Sequence, residues 1–177
     1  MPKIIDDLKT TILAETKKQV FEKGYKNFTI RSVALACGIA TGTIYNYYSS
    51  KKALVAALVL EDWIPVYERM ERDCKGCDDK LHICSVIYEG LLAFQKEYRP
   101  LFAQDAAIES ASTAMPGRHP MLRHKLAELI YGTKELELSD FTAEFLSEAL
   151  LAWSSDGRSF SDLEPIIKRI VHQEVSI

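Results

Sequence analysis

Residues 29–54 read TIRSVALACGIATGTIYNYYSSKKAL, and their pattern decides the fold. Thr29 stands before the periodic run and can cap a helix, because its hydroxyl accepts from a free first-turn amide. Ile30, Val33, Ala34 and Cys37 then recur at helical spacing and form one apolar face. Gly38 follows the last periodic residue, where the left-handed backbone that ends a helix is least costly. Ile39, apolar within the turn, is placed to plug the angle between two helices. A second, short helix starts at Thr41 or Gly42. Its apolar side is thin (Ile44, Tyr45 and Tyr48), and its other side is Thr41, Thr43, Asn46 and Tyr47. An ordinary surface helix carries Glu and Lys there. This one carries hydroxyls, an amide and phenols, and no acid occurs from Thr29 to Val59. A third helix opens with Lys51 and Lys52. A helix, a tight turn and a short helix with a polar face make a helix-turn-helix, whose second helix enters the major groove of DNA.

Charge is divided to match. Residues 1–60 hold nine Lys/Arg and four Asp/Glu, a surplus of +5, whereas residues 61–177 hold thirteen and twenty-one, a deficit of −8. The overall balance of −3 thus hides a basic N-terminal module on an acidic body. Phosphates attract the first and repel the second, which orients such a chain on a duplex.

Residues 8–58 resemble the DNA-binding domain of the TetR family of bacterial transcriptional regulators. The resemblance rests on a first helix, ILAETKKQVFEKGYKNFTI, ending in Gly24-Tyr25, on a second helix, IRSVALACGI, and on the recognition segment ATGTIYNYYSSKKAL. Its most specific marks are the run Gly42-Thr43-Ile44-Tyr45, the aromatic at Tyr48 and Lys51 three residues later. It covers about the first third of the chain; the remainder is similar only in length and helical character. Tyr48 stands where the family usually has Phe, and Tyr47 where it usually has His.

The residues and the resemblance imply similar roles. Thr29 and Arg31, at the start of the second helix, are expected to meet phosphates with the help of that helix's positive end. Thr41, Thr43, Asn46 and Tyr47 are expected to face the major groove or its rim, where Thr can touch a thymine methyl and Asn can pair with adenine. Gly42 joins this set for its backbone, Tyr45 offers its hydroxyl to a phosphate with its ring packed inward, and Lys51 neutralises a phosphate. The structural alternatives are that Thr41 is only a cap and that Tyr48 is core. Phosphate contacts set register, and base-edge contacts set sequence.

The expected architecture is all-α: a three-helix helix-turn-helix DNA-binding domain over residues 1–50, then a helical effector-binding and dimerisation domain over residues 51–177. In the body, a helix from Lys51 runs towards Arg72 with Pro65 as a possible kink, and Cys74 to Asp79, with Gly76, breaks it. Helices are expected over Lys80–Tyr98, stopped by Pro100, then over Leu101–Ser112 and residues 121–131, with Thr113–Pro120 as a loop. Ser139 caps Asp140–Ser154, whose residues Phe141, Phe145, Leu146, Ala149, Leu150 and Trp153 share a face. Ser161 or Asp162 caps a last helix carrying Leu163, Ile166, Ile167, Ile170 and Val171. These last two helices suit a homodimer built as a four-helix bundle, an arrangement the family resemblance also implies. Two heads about 34–36 Å apart then imply a double-stranded, pseudo-palindromic operator.

A pocket for an unidentified small-molecule effector is expected between the middle helices, with Trp63, Tyr67, Tyr88 and Phe102 as its best lining candidates. Cys74, Cys77, His82 and Cys84 offer a rival, since C-x2-C-x4-H-x-C holds enough ligands for a metal and Cys74/Cys77 can form a disulfide. Against a metal, His82 and Cys84 are two apart on a helix and point to different sides. No metal and no cofactor is therefore expected. A Gly-rich phosphate loop, an H-E-x-x-H and a G-x-S-x-G are all absent, so an enzyme is not expected either. A helical adaptor that binds protein leaves the acid-free face of Thr41–Tyr47 unexplained. No apolar run approaches the roughly 20 residues that span a bilayer. MPKIIDDLK has acids where a secretion signal is apolar, and four unframed cysteines suit a reducing compartment, so the cytoplasm is expected.

Overall fold

The computed structural model describes residues 3–103, 118–132 and 140–173. Every regular element among them is a helix. In chain order these are α1 (Lys3–Asn27), α2 (Ile30–Ala36), α3 (Thr41–Tyr45), α4 (Lys51–Cys74), α5 (Lys80–Ala103), α6 (Arg118–Tyr131), α7 (Asp140–Ser155) and α8 (Phe160–Gln173). No helix among the described residues is long and apolar enough to cross a membrane.

The chain packs into two compact units. The first, or head, takes in α1, α2, α3, α4 as far as Ile64, and α5 from Tyr98. Its core is built from Ile12 and Val20 of α1, Phe28, Ile30 and Val33 around the start of α2, Ile44 of α3, and Leu54 and Leu58 of α4, all buried. At about 1.5–3 kcal/mol for each large apolar side chain, this burial is what holds so short a helix as α3 in place. Gly24 has φ 77°, so α1 breaks its helical path where Gly24-Tyr25 marks its end in the sequence. Also in the head, the Tyr98 hydroxyl of α5 donates to the Asp62 carboxylate of α4, and Lys17 of α1 pairs with the same carboxylate at 2.6 Å. The fully buried Tyr98 ring stands edge-on to Phe21, centroids 5.6 Å apart.

The second unit, or body, holds α4 from Pro65, α5 to Glu97, and α6, α7 and α8. Gly90 lets α5 approach α4 closely, since a Cβ there would lie 2.2 Å from the Met70 Cε. The α6 and α7 helices pack along each other, and Arg123 reaches Glu144 at 3.9 Å and Glu148 at 4.0 Å across them. Gln95 Nε2 donates to Ser154 Oγ at 2.8 Å and ties α5 to the end of α7.

Several expected boundaries move. Pro100 does not stop a helix: α5 runs through it to Ala103. Proline removes one backbone donor and fixes a φ that helices already use, so a helix held by packing continues past it. Leu101–Ala103 therefore belong to α5, while the rest of the helix expected to Ser112 lies outside the described residues. Arg118–Pro120, expected in a loop, form the first turn of α6, where proline lacks only an amide that has no helical partner. Residues 113–117 and the expected cap Ser139 lie outside the described residues. The last helix is capped earlier than expected: the Ser159 Oγ donates to the first-turn acid of α8, Asp162, at 2.8 Å, and that same carboxylate accepts from the Ser159 amide at 3.3 Å. Asp162 thus serves inside the helix rather than before it.

Candidate nucleic-acid interface

The entry to α2 is built by a capping box. Thr29 Oγ1 accepts from the Ser32 amide at 3.0 Å, and Ser32 Oγ accepts from the Thr29 amide at 3.2 Å. A buried glutamine locks this cap to α1. Ser32 Oγ donates to Gln19 Oε1 at 2.5 Å, and Gln19 Nε2 donates to the Ser32 carbonyl at 3.2 Å and to Glu15 Oε1 at 2.7 Å. Gln19 is 3% exposed, so each of these partners replaces lost water. The α2 helix ends as expected, with Gly38 at φ 67° and the Gly38 amide donating to the Leu35 carbonyl at 3.2 Å.

The next helix, α3, starts at Thr41 with Ala40 before it, so Thr41 is not the cap. Ile44 is fully buried, and Tyr48 is nearly so. Burial raises the pKa of the Tyr48 phenol, with nearby Glu61 and Tyr47 adding to the effect, and the group stays a neutral hydroxyl. Gly42, Tyr45 and Asn46 are exposed and, at spacings of three and four, share one face. Thr41, Thr43 and Tyr47 are half-buried on its flanks.

Tyr45 corrects the sequence reading. Its ring is 52% exposed instead of packed inward. Ile44 takes the core direction, and the next residue on a helix is turned about 100° away from it. The α2 helix adds exposed Arg31 and, one turn on, Leu35, which is 81% exposed.

Lys51 has a more structured setting than its sequence suggests. Its ammonium lies 4.6 Å from the Tyr25 ring centroid and 4.5 Å from that of Phe28, and it donates to the Lys26 carbonyl at 3.4 Å. Lys9 of α1 is a further cation that the sequence reading missed. It is exposed, with its ammonium 5.9 Å from the Tyr47 ring centroid. A lysine on a neighbouring helix, 38 residues from its aromatic partner, leaves no local pattern in the sequence.

The residues considered for an effector do not share one setting. Tyr88 is fully buried in the body, its ring 5.8 Å from Phe160 and its hydroxyl donating to the Arg158 carbonyl at 3.0 Å. Burial raises its phenol pKa, offset in part by Arg158. Tyr67 is half-buried, donates to the Lys125 carbonyl at 3.4 Å and carries the Lys125 ammonium over its ring. Trp63 is half-buried in the head, and the Phe102 side chain lies outside the described residues. A cleft of about 440 Å³ opens in the head along α1 and the end of α2, against Thr11, Lys18 and Cys37.

Among the described residues, no group of three His, Cys, Asp or Glu side chains is placed to hold a metal ion. Burial, then neighbouring Cys77 and Asp73, pushes the Cys74 thiol up to about 11. Burial, with nearby Cys74 adding to it, pushes Cys84 up to about 12. Both are therefore thiols at neutral pH, a poor state for a metal ligand or a nucleophile.

A capped helix, a left-handed glycine turn and a short helix presenting a face free of acids constitute a helix-turn-helix, the module of DNA-binding regulators. Residues 12–58 match the family described as bacterial regulatory proteins, tetR family. The HTH-type transcriptional regulator UidR of Escherichia coli (strain K12) is 24% identical over 142 residues, which cover 80% of this chain and 65% of that protein. The uncharacterized HTH-type transcriptional regulator YvaF of Bacillus subtilis (strain 168) is 45% identical over 62 residues, 35% of this chain and 32% of that one. Among solved structures, a transcriptional regulator of the "TerR/AcrR family" from Aquifex aeolicus VF5 superposes with a TM-score of 0.58 at 17% identity, covering 92% of this chain and 96% of that one. The regulator FadR from Bacillus subtilis, solved with stearoyl-CoA, superposes with a TM-score of 0.51 at 18% identity, covering 94% and 97%. Residues 12–58 thus resemble the tetR-family regulatory proteins, and nearly the whole chain shares the fold of these solved regulators.

Proposed function

We propose that the protein is a homodimeric transcriptional repressor of the cytoplasm that binds a pseudo-palindromic operator and is released by a small-molecule effector. The observation that carries this reading is the exposed face of Gly42, Tyr45 and Asn46. It carries no acid, it stands within the segment that matches the family, and it belongs to the basic head. Thr41, Thr43, Asn46 and Tyr47 read the major groove, Gly42 admits the backbone, and Thr29, Arg31, Tyr45 and Lys51 meet phosphates. Functionally the chain divides into residues 1–50, which bind DNA, and residues 51–177, which bind the effector and dimerise.

Dimerisation is supported by the outer face of α7 and α8. The single apolar face expected on α7 is split: Leu146 and Leu150 are fully buried, whereas Phe141 is 79% exposed and Phe145 50% exposed. Ile166 of α8 is also exposed. Large apolar side chains set outward on the two terminal helices are what a second copy buries in a four-helix interface. Effector and operator must then weaken each other's binding reciprocally.

The test is binding of the purified protein to the DNA upstream of its own coding region, across a salt series with competitor DNA present. Binding that outlasts the competitor and leaves a two-fold symmetric footprint is the expected result. Absence of binding to any duplex at low salt overturns the reading.

A further inference from the structure

The head carries a cation that none of the expected DNA contacts includes. Lys9 projects from α1 and sets its ammonium 5.9 Å from the ring centroid of Tyr47, the first residue past Asn46, the C-cap of α3. Its neighbours one turn on, Ile12 and Leu13, are buried, so Lys9 emerges at the edge of the core-facing side of α1. The Tyr47 ring also neighbours that of buried Tyr48, ring centroids 6.3 Å apart and 40° between planes. Tyr47 thus has both a buried ring and an exposed ammonium beside it. The end of α3 would otherwise offer its carbonyls to an approaching phosphate, and a cation there reverses the sign.

Lys51 provides the matching cation. Its ammonium is held on Tyr25 and Phe28, just past Gly24. Lys9 and Gly24 are separated along α1 by roughly 22 Å at 1.5 Å per residue. Lys9 and the Tyr25 ring that meets Lys51 thus stand at well-separated positions along α1.

We propose that Lys9 is a phosphate-binding residue of the head, positioned by Tyr47, and that it and Lys51 contact separate phosphates of the duplex that α3 enters. This rests on the DNA-binding reading above. It adds a contact from α1 and gives Tyr47 a second role, as the support of a cation.

Phosphate contacts carry no sequence information, so the test can use any duplex that the protein binds. Affinity is measured between 50 and 200 mM salt for the full chain and for Lys9→Ala, Lys9→Arg and Tyr47→Ala. Lys125→Ala serves as the control, because Lys125 makes the same kind of ring contact, to Tyr67, in the body. Losing one phosphate per protomer of a dimer lowers the slope of log affinity against log salt by about 1.8. The gap between the parent chain and Lys9→Ala then narrows about twelvefold across that range. Lys9→Arg keeps the slope, Tyr47→Ala loses part of it, and Lys125→Ala leaves it unchanged. Thermal unfolding of Lys9→Ala matches that of the parent chain. If the parent binds and Lys9→Ala keeps its slope, or weakens binding equally at every salt with a lowered melting temperature, the phosphate role is refuted and the DNA-binding reading stands. If the parent binds no duplex at low salt, that reading itself fails.

Discussion

Replacing Tyr98 by Phe removes one hydroxyl and leaves a fully buried ring in its edge-on contact with Phe21. The loss falls on Asp62, which accepts from that hydroxyl and pairs with Lys17 at 2.6 Å. A hydrogen bond to a charged group contributes about 1.5–3 kcal/mol. The Asp62 side chain is 22% exposed, so water recovers part of that, and about 1–2 kcal/mol remains. For a chain of this size the melting temperature falls by roughly 3–6 °C. Lys17→Met removes the other partner. Its side chain is 38% exposed, so the loss is at most about 1 kcal/mol and fades as salt is added. The Tyr98→Phe loss comes from a buried donor and persists in high salt. Thermal and urea unfolding of both single variants and the double variant, at fixed protein concentration, form a cycle. Because both partners share one carboxylate, the double variant departs from additivity by about 0.5 kcal/mol or more. Additive losses, or a Tyr98→Phe loss no larger than that of Lys17→Met, would show that Asp62 does not join the three helices.

Three further outcomes follow from the structure. Phe141→Glu combined with Phe145→Glu places charge on the exposed face of α7, and sedimentation is expected to show a monomer with unchanged helical circular dichroism; a persisting dimer would place the interface elsewhere. Lys51→Ala is expected to lower the salt slope of DNA binding and also the melting temperature, since each of its two ring contacts contributes about 0.5–1 kcal/mol; a lowered slope with unchanged melting would deny those contacts. Cys74 and Cys84, with thiols raised to about 11 and about 12, are expected to stay unmodified by iodoacetamide at pH 8 in the native chain while half-exposed Cys77 reacts. Because reaction needs the thiolate, their alkylation should begin only as pH rises towards those values, and mass spectrometry reads it directly.

The head was legible because its signals are local. Thr29 as cap, Gly38 in the left-handed turn and Ile44 as the buried anchor each follow from a few adjacent residues. Tyr45 was misread because a helix of five residues has too little periodicity to tell a thin apolar side from its flank. Pro100 reads as a stop because proline is an end signal in a sequence, whereas packing along α5 overrides one missing donor. The one apolar stripe expected on α7 is two, an inner one with Leu146 and Leu150 and an outer one with Phe141 and Phe145. Sequence gives the spacing of such residues, but only tertiary packing tells which of them a single chain can cover. Lys9 and Gln19 are out of reach because their partners lie on other segments of the head, 38 and 13 residues away.

The Gln19 lock has a consequence for how the head can change. Apolar contacts tolerate sliding, since one methyl group replaces another. Gln19 meets Ser32 through both ends of its amide, so sliding α2 by one turn of about 5.4 Å strands the donor and acceptor of a buried side chain together. Each stranded group costs about 1–3 kcal/mol. The lock therefore works as a keyway between shaft and wheel. The head can be turned or carried, but α2 cannot be re-timed against α1, so the groups at the front of α2 keep one fixed spacing from those on α1 in whatever state the protein is found.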